Sequence, residues 1–68
     1  MKTLATDVKK GDLVKSPFFG KTFIKVEDIT LTEKQITFWG PYVENPDKQM
    51  IGRRWGYTFR KTTKINIK

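Results

Sequence analysis

Residues 22–31 read Thr22-Phe23-Ile24-Lys25-Val26-Glu27-Asp28-Ile29-Thr30-Leu31. Apolar and polar residues alternate here, the period of a half-buried strand. The alternation slips once: Ile24 and Val26 stand at even positions, Ile29 and Leu31 at odd ones. One side chain too many must be absorbed between them. A β-bulge at Glu27 and Asp28 would do so and would bend the strand sharply. A long, bent strand in a chain of 68 residues predicts a small sheet curled on itself.

The same period runs outward in both directions. Ile36 and Phe38 flank Thr37; Trp55, Tyr57 and Phe59 share one parity with Ile51; Ile65 and Ile67 flank Asn66. Residues 31–36 read as a tight hairpin without a glycine, and Glu44-Asn45-Pro46-Asp47-Lys48 as a polar loop. Gly40-Pro41 ends the third strand, because proline cannot donate to a ladder. Five antiparallel strands are predicted: Asp12–Ser16, Thr22–Leu31, Gln35–Tyr42, Met50–Arg60 and Lys64–Ile67. The one helical signal is a single turn, Asp7 to Lys10, with Thr6 as cap and Gly11 closing it.

These elements predict an all-β fold over residues 1–68, a small five-stranded antiparallel SH3-like barrel. An OB-like barrel is the alternative. The opening Val8-Lys9-Lys10-Gly11-Asp12-Leu13-Val14 resembles the start of many SH3-like barrels, where a V-x-x-G-D-x-V turn leads into the first strand. That resemblance speaks to fold and not to function.

Charge is distributed unevenly. Met1 to Asp47 hold seven lysines and seven acids, so the formal +7 belongs wholly to Lys48–Lys68, which has no acid. All three arginines, Arg53, Arg54 and Arg60, lie among Trp55, Tyr57 and Phe59. A one-sided block of arginines and aromatics is the composition of a surface that meets an anion, most often a nucleic acid.

Strand alternation splits this block. Gly52, Arg54, Gly56, Thr58 and Arg60 face one way, where the glycines leave backbone open to a ligand and the arginines can grip phosphate. Trp55, Tyr57 and Phe59 face the core. Trp39 has two placements. The parity of Ile36 and Phe38 turns it outward, where it could stack on a base, whereas a bend at Gly40 would turn it inward over the end of the barrel. Glu27, Asp28, Glu44 and Asp47 read as solvated bulge and loop acids.

Histidine and cysteine are absent, which removes the usual general base, disulfides and thiolate metal sites. Ser16 is the only serine and has no histidine to activate it. No nucleotide-binding or zinc spacing is present. The expectation is a binding module and not an enzyme, without cofactor, membrane span or small-molecule substrate, in the cytoplasm. The leading partner is DNA or RNA, met by Arg53, Arg54, Arg60, Lys61 and Lys64 at phosphates. Trp39, with Tyr42 or Tyr57 beside it, would meet bases or sugars. The alternative is a small interaction or inhibitor module, of the kind viruses and mobile elements carry, docking its basic face on an acidic protein.

Overall fold

A computed structural model describes residues 2–18 and 20–68. The chain is mostly β. Its strands are β1 (Lys2–Leu4), β2 (Leu13–Lys15), β3 (Phe23–Lys25), β4 (Asp28–Leu31), β5 (Gln35–Glu44), β6 (Arg54–Arg60) and β7 (Lys64–Asn66). All the ladders between them are antiparallel.

The longest strand, β5, organises the rest. It pairs with β6 along its first seven residues, with β4 from Ile36 to Trp39, and with β3 at Tyr42 and Glu44. Its burial alternates as its sequence does. Ile36, Phe38, Gly40 and Tyr42 are buried, while Gln35, Trp39 and Val43 are exposed. With β2 joined to β3, these strands make a five-stranded sheet. The β1–β7 pair is a separate two-stranded sheet, tied to β2 by a bridge between Val14 and Ile67 and by the Lys68 amide on the Leu13 carbonyl at 3.0 Å. The described ladders do not close into a ring. What is present is a five-stranded antiparallel sheet with a two-stranded one beside it, and not the closed barrel expected.

The slip at residues 26–28 has a sharper outcome than a bulge. The expected single strand Thr22–Leu31 is two strands with a corner between them. The Val26 amide bonds the Asp12 carbonyl at 2.9 Å, whereas the next amide, Glu27, bonds Trp39 at 2.8 Å. Gly40 makes this corner possible. A Cβ there would stand 1.6 Å from the Lys25 carbonyl oxygen. Gly40-Pro41 also does not end its strand, which continues to Glu44. The two residues lie in the gap where the neighbour on one side changes from β4 to β3, so the missing proline donor costs no ladder bond. The irregularity that does occur falls further on, where Phe23 faces Glu44 but Ile24 faces Tyr42, leaving Val43 as the extra residue.

Two further expectations are corrected. The helical turn near the N-terminus is a 3-10 turn at Ala5–Asp7, not Asp7–Lys10, and no side chain caps it. Gly11, at φ 96°, closes the following turn and donates to Val26 at 2.8 Å. The strand expected from Met50 begins only at Arg54. Lys48–Met50 is a 3-10 turn in which the Gln49 amide donates to the Asp47 carboxylate, and Gly52 at φ 88° breaks the extended path. β1 was not foreseen.

The core is one cluster. Phe38, Ile24, Val14 and Val26 are fully enclosed, with Ala5, Val8, Ile36, Tyr42, Tyr57 and Ile65 around them. It lies beneath β5 and leaves the opposite face of β4, β5 and β6 to solvent.

Candidate nucleic-acid interface

Register assembles this outer face rung by rung. Trp39 stands opposite Gly56 on β6 and Asp28 on β4. The next rung joins Thr37 to Thr58 and Thr30, and the last joins Gln35 to Arg60. Alternation puts all of these side chains on one side. The Thr37 and Thr58 hydroxyls confirm it by bonding each other at 2.8 Å. Four residues separate the first rung from the last, a span of about 13 Å at strand rise.

Trp39 points outward, which resolves its two placements. It is 40% exposed, and its indole N–H donates to the Thr30 hydroxyl at 3.2 Å. Gly56 beneath it is not open backbone, as the sequence suggests, but a seat. A Cβ there would come within 2.4 Å of Trp39 Cε3. The missing side chain lets the indole settle against β6 with its other side facing solvent. Gly52 sits in the preceding turn, outside the strand, and contributes nothing to this face.

The arginines separate into different roles. Arg54 reaches across β5: Nη1 bonds Glu27 Oε1 at 2.8 Å, and Nη2 bonds Asp28 Oδ2. Glu27 and Asp28 are thus ion-pair partners and not merely solvated acids. All three side chains are about half exposed or more, so the pairs add little stability. Their effect is electrostatic: the end of the face beside Trp39 carries two acids and one base, a net charge of −1. Arg53 is exposed just before β6, where its backbone carbonyl accepts from Tyr42 at 2.9 Å.

The opposite end is cationic. Arg60, Lys61 and Lys64 flank the turn between β6 and β7, and none takes part in a described ion pair. Lys34 joins them across a shallow groove shared with Arg60 and Lys61, where Glu33 is the only acid. Lys68, by contrast, is bound to Glu44, with its ammonium 5.2 Å from the centre of the Phe23 ring.

Tyr57 belongs to the interior. It is 3% exposed, and its hydroxyl bonds that of Tyr42 at 2.7 Å. Neither ring is available to a base. Burial, reinforced by the hydrogen bond and by the neighbouring Tyr57 phenol, pushes the Tyr42 phenol well above its usual range. Phe59 is partly buried against the core, as expected. Trp55 is not; it is 51% exposed. It pairs with Gly40, and the inner side of that rung is already filled by the Lys25 carbonyl.

Sequence reasoning passed over Phe18, which is 77% exposed with its ring centre 6.4 Å from that of Tyr57. It lines a groove with Phe59, Lys2, Lys15 and Lys64. An aromatic between Pro17 and Gly20, in a loop with no periodicity to bury it, was the available signal. Among the described residues no cluster of three or more metal-binding side chains occurs, and no helix is long and apolar enough to cross a membrane. Comparison with known proteins finds no family, no relative and no solved structure that the chain matches.

Proposed function

We propose that this protein is a nucleic-acid-binding module of low sequence specificity that holds single-stranded DNA or RNA on the outer face of β4, β5 and β6. The observation that carries the reading is Trp39, seated on Gly56 and still 40% exposed, on the same side as Arg60. A flat aromatic platform favours an unpaired base, since a duplex keeps its bases stacked on one another. Such stacking contributes about 1–3 kcal/mol per base. Arg60, Lys61 and Lys64 then take successive phosphates, and the Thr37–Thr58 pair offers hydroxyls between platform and cations. Arg54 is occupied by Glu27 and Asp28, and Tyr57 is buried, so both drop out of the contact set. Arg53 lies beyond the acidic end and serves at most a peripheral phosphate. Specificity is low because the two helical turns among the described residues are three residues long, too short to act as recognition helices.

The scaffold in this reading is an open SH3-like barrel. The corner between β3 and β4, the turn at Gly11-Asp12 and the Val14–Ile67 bridge support it. A cysteine-free chain of this kind suits the cytoplasm. One observation favours the second reading, an acidic protein partner: the groove under Phe18 has three lysines and no acid among its described lining.

Titration of tryptophan emission with mixed-sequence oligonucleotides, in a Trp55→Phe background, tests the proposal. With three phosphates engaged, log K falls with log salt at a slope of about −2, and Arg60→Ala makes it shallower by about 0.7. Binding that ignores salt, or no binding to any single strand at low salt, overturns the reading.

A further inference from the structure

The charge gradient along the Trp39 face has a direction, and it bears on which part of a strand can bind. This rests on the nucleic-acid reading above. At one end Glu27 and Asp28 outweigh Arg54, which they hold; at the other Arg60, Lys61 and Lys34 outweigh Glu33. Asp28 is the direct cross-strand neighbour of Trp39. A nucleotide inside a strand carries a phosphate on each side. Stacked on Trp39, it would send one phosphate toward Arg60 and the other toward Glu27 and Asp28. A terminal nucleotide with a free hydroxyl has only one phosphate to place, and the face has a favourable position for one.

We infer that this face takes the end of a single strand, with the terminal base on Trp39 and the backbone leaving over Thr37 and Thr58 toward Arg60. The Glu27–Arg54–Asp28 cluster acts as an electrostatic stop. It is a specificity device in place of a contact surface: the two carboxylates occupy Arg54, the arginine that β6 turns onto this face at that end, and their surplus charge repels the phosphate that would follow.

The experiment compares two probes at equal nucleotide concentration and low salt, a linear oligothymidylate with hydroxyls at both ends and a covalently closed circle of the same composition. Binding is read from Trp39 emission in Trp55→Phe protein. After division by the number of sites each probe offers, the strand end is expected to bind about fivefold tighter than a nucleotide of the circle, the effect of one unit charge at about 4 Å in water. A phosphate added at one of its two ends abolishes the advantage, and which end does so gives the polarity. Glu27→Gln with Asp28→Asn frees Arg54 and brings the circle level with the linear strand. Arg54→Gln, which leaves both carboxylates uncompensated, widens the gap. Circular dichroism of each variant checks that the sheet is retained. Equal binding of circle and linear strand by the parent protein overturns this inference and leaves the nucleic-acid reading standing. So does a gap that the charge variants do not move, or one that neither terminal phosphate changes. If neither probe binds, the nucleic-acid reading itself fails.

Discussion

Replacing Gly40 by alanine adds one methyl group, and the structure says where it must go. The new Cβ would lie 1.6 Å from the Lys25 carbonyl oxygen and 2.7 Å from its carbon. Both are backbone atoms, so no side chain can swing aside. Ordinary contact requires the β3–β4 corner and β5 to part by more than 1 Å. That movement breaks the Glu27 amide bond to Trp39 and strains the Val26 bond to Asp12. A buried donor or acceptor left unpaired costs about 1–3 kcal/mol, so two such groups cost roughly 2–6 kcal/mol. A domain of this size has about 3–10 kcal/mol in all. At about 4–8 °C per kcal/mol, the melting temperature should fall by roughly 8 °C at the least, and at the upper end of the cost the variant should not fold. Thermal unfolding followed by circular dichroism gives the answer. Gly20→Ala is the control, since a Cβ there meets nothing within 4 Å. A Gly40→Ala protein within about 0.5 kcal/mol of the parent, the range of ordinary surface changes, would refute the corner and with it the register that builds the outer face.

Other outcomes follow from the same geometry. Gly56→Ala should lift Trp39 from its seat without unfolding the sheet, because the indole can yield; its emission should shift to the red, and oligonucleotide affinity should drop by about tenfold, within what one stacked base contributes. Tyr57→Phe removes the partner of a buried hydroxyl and should cost about 1–3 kcal/mol in denaturant unfolding. The raised Tyr42 phenol favours the neutral form in the fold, so its contribution is intact below the unfolded tyrosine pKa of about 10 and is lost as pH climbs beyond it. The urea midpoint should therefore be insensitive to this group at neutral pH and decline in the alkaline range.

What the sequence disclosed follows the reach of local pattern. The period of two located β5 and β6 and told which side chains share a face, because alternation is a property of neighbours. Trp39 pointed outward for that reason. The phase slip at residues 26–28 announced a bend, but not that the chain would break into two strands bonded to different partners; that depends on Asp12 and Trp39, both more than ten residues away. β1 is three residues long, too short to show a period, and exists because Lys2–Leu4 pairs with Lys64–Asn66. Trp55 has the parity of a core residue and still lies half in solvent, since the space across from it is taken by another part of the backbone. The pairing of Arg54 with Glu27 and Asp28 spans three strands and carries no mark in the order of residues. Charge composition and strand parity made Arg54 a ligand contact; register gave it to the carboxylates.

The dependence of every neighbouring strand on β5 has a kinetic side. Hairpin β4–β5 joins residues at most eleven apart, whereas β6 reaches back to β5 across up to 25 and β1 meets β7 across the whole chain, Lys2 opposite Asn66. Loop closure grows costlier with separation, so the local hairpins β4–β5 and β2–β3 are expected early, β6 later, and the β1–β7 pair last. On that order the transition state is expected to hold Ile36 and Phe38 but not Thr3 or Ile65. Substitutions in the hairpin should slow folding, and those in β1 or β7 should quicken unfolding instead. The β1–β7 pair is then expected to act as a latch: it would set how long the native state lasts, while the hub strand would set how fast it is reached.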